Sequence, residues 1–192
     1  GDAPYYPLID ELRRSIAALA PGAMPRFAAI DAGLAPDQAA ALRDAGAIVA
    51  RVPDDPAFPH APLRKEPRLA VNCCKPWLDV MFPDAEAIVF LDGDTWVQDW
   101  RALELLEGAS ARGALAVVAD NGRFWDRQID IRWLLGGIGG LGQVRSFFFK
   151  NGRHGGLPLA LLKDMGTRAQ LNAGVFALRR DAPHWSAWRR WQ

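Results

Sequence analysis

The sequence predicts an α/β fold with a mostly parallel central sheet and flanking helices. Segments whose apolar residues recur every three or four positions alternate with short apolar runs of strand length. Proline and glycine residues separate these segments, as they do at helix starts and ends. Asp92, Asp94 and Asp120 follow two of the strand-like runs. Because ligands bind outside the carboxyl ends of strands in such sheets, we expect a site there.

The first part of the chain alternates helix and strand. The predicted elements are, in order, a helix over residues 7–19, a strand over 26–30, a helix over 36–45 and a strand over 47–52. Pro7 suits a first helical turn, and Gly46 closes the second helix. Residues 53–67 contain five prolines and are predicted to form a surface loop.

The remaining elements surround a segment that is hard to interpret. They are a helix within residues 69–81 that is interrupted near Pro76, a strand over 88–91, a helix over 100–106, strands over 114–118 and 171–178, and a helix over 183–191. Trp185, Trp188 and Trp191 recur every three residues, which predicts a core-facing stripe. Residues 123–165 mix aromatic, glycine and basic residues, and we expect a mobile insertion there.

Two aspartates one residue apart end the central strand. Ile88 to Leu91 has the composition of a buried strand, and Asp92 and Asp94 follow directly. Two ionised carboxylates at this position repel each other and resist desolvation, so a cation is expected to offset their charge. Hard oxygen ligands suit Mg²⁺ or Mn²⁺, which one or two carboxylates usually hold together with substrate phosphates. The pattern therefore predicts both a metal and a phosphate-bearing ligand.

Composition excludes several classes of protein. The 192 residues fit one domain, and 23 Lys and Arg against 22 Asp and Glu gives no sign of a nucleic-acid-binding surface. No apolar run reaches the length of a transmembrane helix, and no signal peptide is visible. We therefore expect a cytoplasmic location by default. The adjacent Cys73 and Cys74 support neither a disulfide framework nor a metal site, and are predicted to be a buried apolar pair.

Leu91-Asp92-Gly93-Asp94-Thr95 resembles the D-x-D motif of GT-A fold glycosyltransferases, and most of all that of glycosyltransferase family 8, which includes glycogenin. Three further segments match that family in the expected order. Asp2-Ala3-Pro4-Tyr5-Tyr6 resembles its opening segment, Lys75 resembles the lysine that precedes the D-x-D strand, and Leu171-Asn172-Ala173-Gly174-Val175-Phe176 resembles its F/L-N-[SA]-G-V strand. The resemblance covers nearly the whole chain and implies a GT-A, Rossmann-like fold.

The resemblance implies a role for each matched residue. Asp92 and Asp94 would hold Mn²⁺ (or Mg²⁺) against the diphosphate of a nucleotide sugar, and Lys75 would reach the same phosphates. Tyr5 or Tyr6 would meet the nucleobase. The donor sugar would face Asn172 and Asp120, and Gly174 would let the backbone approach it closely.

Each of these residues also has a structural alternative. Either tyrosine can simply pack over the first helix, Lys75 can be a solvated surface charge, and Asp120 can be a helix cap. Asn172 needs a partner because it interrupts an apolar strand, and its amide can both donate and accept.

The implied activity is transfer of a hexose from a nucleoside-diphosphate sugar, commonly UDP-linked, to an acceptor hydroxyl with retention of configuration. The acceptor, whether a saccharide, a protein or a lipid, stays open, as does the catalytic nucleophile. The chain also departs from the family pattern. The resemblance implies that the family's first strand, and the C-terminal part that supplies a histidine as third metal ligand, lie outside residues 1–192. We therefore expect the chain to be an incomplete domain that need not be active by itself.

Two other functions remain open. Haloacid-dehalogenase-type phosphatases also end a strand with D-x-D, but their motif has Thr or Val two residues after the second aspartate, where this chain has Trp96. A GT-A-like domain that binds a nucleotide or a partner without turnover is the other alternative. Calorimetric measurement of UDP binding, with and without Mn²⁺, helps to distinguish these possible functions.

Overall fold

The computed structural model describes residues 1–22, 24–60, 63, 66, 69–119, 129–133, 142–165 and 171–192. The described helices are α1 (Tyr6–Leu19), α2 (Pro36–Asp44), α3 (Ala70–Cys74), α4 (Leu78–Met81), α5 (Trp100–Ser110), α6 (Phe147–His154), α7 (Leu159–Met165) and α8 (His184–Arg189). The described strands are β1 (Ala28–Ile30), β2 (Ile48–Ala50), β3 (Ala87–Leu91), β4 (Ala116–Ala119), β5 (Ile129–Trp133), β6 (Gly142–Ser146) and β7 (Leu171–Arg179). An α/β fold is thereby confirmed.

The described strands form three sheets, and only part of this arrangement is parallel. β1 and β2 are parallel, with Ala29 opposite Val49. A second sheet has the order β3-β7-β4, in which β3 and β7 run antiparallel. β5 and β6 form an antiparallel pair. The expectation of a mostly parallel sheet is therefore met only in part, because the composition of a buried strand does not reveal the direction of its neighbour.

Local signals explain where the helices begin and end. Pro7 lies in the first turn of α1, whose Ile9, Leu12 and Ile16 are buried. Asp99 caps α5, since its Oδ1 accepts a hydrogen bond from the N–H of Arg101 at 2.9 Å. The predicted interruption near Pro76 is confirmed, because α3 and α4 are separated by a 3-10 turn over Lys75–Trp77.

The chain divides into two compact units. One comprises residues 1–117 and 173–192, and the other residues 118–172. The second unit contains the β5–β6 pair, α6 and α7, in the segment for which an insertion was expected. Among the described residues, no helix is both long and apolar enough to cross a bilayer.

The main core of the first unit is built on β3 and β7. The rings of Phe90 and Phe176 stack across these strands with centroids 5.2 Å apart. Trp185 of α8 is 1% exposed, and its ring meets Phe176 edge-on at 6.2 Å. Its indole N–H also donates to the carbonyl of Arg179 at 2.8 Å. This packing fixes β3, and with it the turn that follows.

Candidate functional site

The Asp92-Gly93-Asp94 turn is held by backbone hydrogen bonds directly after β3. The N–H of Asp92 donates to the carbonyl of Gly174 on β7 at 2.7 Å. The carbonyl of Asp92 accepts from both the N–H and the hydroxyl of Thr95, at 3.0 and 2.7 Å. The side chain of Asp92 is 38% exposed, and Asp94 is exposed. Two carboxylates are thus presented on a fixed turn.

Lys75 brings a positive charge to this turn. Its Nζ lies 3.1 Å from Oδ1 of Asp92 and 4.8 Å from the centroid of the Phe90 ring. Lys75 is only 5% exposed, so it is not a solvated surface lysine. The sequence predicted that a metal cation offsets the negative charge of Asp92 and Asp94. The ammonium of Lys75 offsets part of that charge. The contact with Phe90 could not be found from the sequence, because it depends on the turn around Pro76.

The segment that carries Lys75 is anchored from the last helix. The guanidinium of Arg189 donates to the carbonyl of Pro76 at 2.7 Å and to Oδ2 of Asp79 at 3.0 Å. The indole N–H of Trp77 donates to Oε1 of Gln192 at 2.9 Å. These contacts hold the middle and the carboxyl end of the 3-10 turn that carries the buried ammonium group.

Tyr5 and Tyr6 have different surroundings. Tyr5 is 48% exposed and lines the same pocket as Asp92, Gly93 and Asp94. Tyr6 is half-buried and packs against a core cluster that includes Ile9 and Leu42. The aspartate turn lies close to the start of α1, because a Cβ added at Gly93 would be only 3.1 Å from the side chain of Ile9. Ile9 follows Tyr5 by one helical turn. Tyr5 is therefore the tyrosine placed beside the pocket, whereas Tyr6 has the packing role.

The predicted sugar-binding residues are described only in part. Gly174 is buried in β7, where its carbonyl accepts the hydrogen bond from Asp92, and Asn172 is exposed near the start of the same strand. Asp120 lies outside the described residues. Trp96, for which no role in the site was predicted, is 59% exposed two residues after Asp94.

The donor atoms at the turn fit a hard divalent cation. Mg²⁺ and Mn²⁺ prefer carboxylate oxygens, and they complete their coordination with water and substrate phosphate oxygens. Asp92 and Asp94 supply two carboxylates that solvent can reach. In the described part of the chain, no three His, Cys, Asp or Glu side chains lie close enough to form a metal site by themselves. Asp92 and Asp94 could thus contribute two oxygen ligands to such a cation.

The two cysteines are not suited to nucleophilic chemistry. Cys74 is fully buried, and Cys73 is half-buried. Burial, with a smaller contribution from the neighbouring Cys73, raises the pKa of the Cys74 thiol to about 12. Burial also raises the pKa of Cys73. Since the thiolate is the reactive form, the prediction of an apolar pair fits their surroundings.

Ser15 connects α1 to the segment after the aspartate turn. Its buried hydroxyl donates to the carbonyl of Leu12 at 2.8 Å and accepts from the N–H of Val97 at 3.2 Å. We expect Ser15→Ala to lower the free energy of unfolding by about 1–2 kcal/mol, because the Val97 N–H would be left buried without a partner.

Urea denaturation measures this effect, and Ser186→Ala is the matched control. The hydroxyl of Ser186 is exposed and donates to the carbonyl of Pro183, the residue before α8, at 2.9 Å. Its loss should change stability by less than about 0.5 kcal/mol. Equal effects of the two substitutions would contradict the role assigned to Ser15.

Comparison with known proteins supports the fold. Searches found no protein-family model that matches the chain and no significant match among curated proteins. Among solved structures, the chain is similar to an active-site mutant of LgtC, a GT-A family 8 glycosyltransferase. The TM-score is 0.50, the sequence identity is 19%, and the match covers 99% of this chain and 57% of that chain. The chain thus has a GT-A type of fold and spans little more than half the length of that structure.

Proposed function

We propose that this chain is the nucleotide-sugar-binding region of a metal-dependent glycosyltransferase. The reaction is transfer of a hexose from a nucleoside-diphosphate sugar, UDP-linked in the first instance, to an acceptor hydroxyl with retention of configuration. The observation that carries the proposal is the convergence of Asp92, Asp94 and the buried Lys75 at one turn beside an open pocket. The GT-A fold supports it.

In this proposal, Asp92 and Asp94 would hold the Mn²⁺ or Mg²⁺ that binds together with the donor diphosphate. The cation would act as a Lewis acid on the departing diphosphate. Lys75 adds a fixed positive charge in a partly desolvated position, where it is worth more than in water. Tyr5 stacks on the base. Asn172 and Asp120 orient the sugar, and Gly174 keeps the strand close to it.

Isothermal titration calorimetry with UDP tests the proposal. Binding is expected in the presence of Mn²⁺ and should disappear when EDTA replaces the metal. ADP and GDP are the matched ligands, because they carry the same diphosphate with another base, and weaker binding of both would support UDP as the donor nucleotide. Failure of all three to bind in Mn²⁺, or equal binding in EDTA, would contradict the proposal.

Two outcomes distinguish the alternatives. A phosphorylated aspartate trapped at position 92 would favour a phosphatase of the haloacid-dehalogenase type. Metal-dependent UDP binding without any hydrolysis or transfer from UDP-hexoses would favour a binding domain without turnover. That second candidate has a specific observation behind it, since the described residues bring only two acidic ligands to the turn.

A further inference from the structure

The charge of Lys75 lies at the end of a long side chain, so its position depends on the groups around it. A flexible four-carbon stem carries the ammonium group, and ordering such a stem is opposed by its loss of rotamer freedom. Lys75 is nevertheless only 5% exposed, with Nζ 3.1 Å from Oδ1 of Asp92. The contacts that hold its backbone, and the walls around its side chain, therefore determine where this charge lies.

The backbone around Lys75 is held on one side by α3 and on the other by Arg189. The N–H of Lys75 donates to the carbonyl of Val71 in the last turn of α3. The next residue, Pro76, has no N–H and cannot continue the helical hydrogen bonding. Pro76 is fully buried, and a buried carbonyl needs a donor within the protein. The guanidinium of Arg189 is that donor, at 2.7 Å, and so holds the residue directly after Lys75.

The guanidinium of Arg189 is itself held in one orientation. Both carboxylate oxygens of Asp79 accept hydrogen bonds from it, Oδ2 at 3.0 Å. The side chains of this pair are 23% exposed for Arg189 and 16% exposed for Asp79. The ring of Trp77 lies 5.2 Å from the guanidinium carbon. Because the planar fork of arginine fixes the direction of each N–H group, Asp79 and Trp77 aim this side chain at the Pro76 carbonyl.

The helix that carries Arg189 also supports the ring on which the ammonium of Lys75 lies. Nζ of Lys75 is 4.8 Å from the centroid of the Phe90 ring, a distance suited to a cation–π contact. Phe90 stacks on Phe176 at 5.2 Å, and Phe176 meets the ring of Trp188 edge-on at 5.6 Å. Trp188 is the neighbour of Arg189 in α8. One helix thus contacts both the backbone beside Lys75 and the support beneath its charge.

We propose that Arg189 is a positioning residue. Through Pro76 and Asp79 it sets the place of the Lys75 ammonium, and through that charge it sets the affinity of the site for the donor diphosphate. The contacts of Arg189 described above are with the 3-10 turn and α4, so its effect reaches the aspartate turn through Lys75. The placement of Lys75 concerns the protein without ligand, whereas the effect on affinity rests on the proposed function.

Arg189→Lys tests the effect on affinity. Lysine keeps a positive charge beside Asp79, but its ammonium cannot reproduce the planar fork that bonds this carboxylate and the Pro76 carbonyl together. We expect Mn²⁺-dependent UDP binding, measured by calorimetry, to weaken about tenfold. Arg179→Lys is the matched control, because Arg179 also donates to both oxygens of an aspartate, Asp181, but at the surface. Its affinity for UDP should stay within about twofold of the wild-type value.

A double-mutant cycle shows whether Arg189 acts through Lys75. Lys75→Gln removes the ammonium and should itself weaken UDP binding. If Arg189 acts by placing that ammonium, Arg189→Lys should change the affinity of the Lys75→Gln protein by less than about twofold. A general loss of stability would instead lower the affinity equally in both backgrounds. A tenfold loss in the Lys75→Gln background would therefore overturn the proposal.

NMR of the protein labelled with ¹³C-lysine tests the placement of Lys75 without any ligand. Protons above the face of an aromatic ring are shifted upfield, so the CH₂ group beside the ammonium of Lys75 should resonate upfield of its position in the urea-unfolded protein. Lys75→Gln identifies the signal, because it alone disappears. Arg189→Lys should reduce this upfield shift, whereas Arg179→Lys should leave it unchanged.

The two measurements separate this proposal from the proposed function. If the wild type does not bind UDP in Mn²⁺, the proposed function is wrong, and the NMR signal still decides whether Arg189 positions Lys75. An unchanged Lys75 signal in Arg189→Lys, or an equal change in Arg179→Lys, would overturn the positioning role. A displaced Lys75 signal together with wild-type UDP affinity would overturn the link between the place of this charge and the affinity for the diphosphate.

Discussion

Asp94→Ala should weaken Mn²⁺-dependent UDP binding at least about 100-fold while leaving the stability of the protein nearly unchanged. Asp94 is exposed, and in the described part of the chain its carboxylate makes no hydrogen bond or ion pair. Its proposed contribution is therefore confined to the metal. Calorimetry measures the loss of binding, and urea denaturation should give a free energy of unfolding within about 0.5 kcal/mol of the wild-type value.

Two other aspartates near the turn serve as matched controls. Asp92→Ala should also abolish binding, but it leaves the buried Lys75 without its ion-pair partner, and we expect a loss of stability of about 1–3 kcal/mol. Asp99→Ala removes the cap of α5 and should cost about 1 kcal/mol without affecting UDP binding. If Asp94→Ala binds UDP in Mn²⁺ as the wild type does, Asp94 is not a metal ligand.

Local sequence signals were sufficient to predict most of the elements. The helix over residues 7–19 and the strand over 88–91 agree with α1 and β3 to within one residue at each end. The helix was predicted from its periodicity and from the proline residues at its ends, and the strand from its β-branched and aromatic composition; all of these signals act over a few residues. The direction of a strand relative to its neighbour does not follow from local signals. The antiparallel pairing of β3 with β7, for example, joins residues far apart in the chain. Residues 123–165 gave no clear period, and the β5–β6 pair there was missed.

In the candidate site, too, some features follow from local sequence and others depend on contacts between distant segments. Asp92 and Asp94 were chosen because they follow a predicted strand, and β3 ends at Leu91, directly before Asp92. Their role as metal ligands stays a prediction. The resemblance pointed to Lys75, but its contacts with Asp92 and with the ring of Phe90 arise from the packing of two segments that are separate in the sequence. The choice between Tyr5 and Tyr6 for contact with the nucleobase could not be made from the sequence, because the burial of Tyr6 depends on α2 and β2. The roles of Asn172, Gly174 and Asp120 stay predictions.

The tryptophan stripe at the end of the chain allows a graded test of the core that fixes β3. The sequence predicted that all three rings face the core, but the exposed fraction is 1% for Trp185 and 70% for Trp191, while Trp188 is half-buried. α8 ends at Arg189, so Trp191 lies beyond the last helical turn. The expectation of a core-facing stripe is therefore wrong for Trp191.

Trp185→Ala should lower the free energy of unfolding by about 3–5 kcal/mol, because it removes a fully buried ring and the hydrogen bond to Arg179. Trp188→Ala should cost about 1–2 kcal/mol and Trp191→Ala less than about 0.5 kcal/mol. Urea denaturation of the three variants measures these losses in the free energy of unfolding. Since Phe176, the ring against Trp185, stacks on Phe90 of β3, the first variant should also speed amide exchange at Asp92, whereas Trp191→Ala should not. Equal losses in all three variants would mean that the last helix does not hold the aspartate turn through this core.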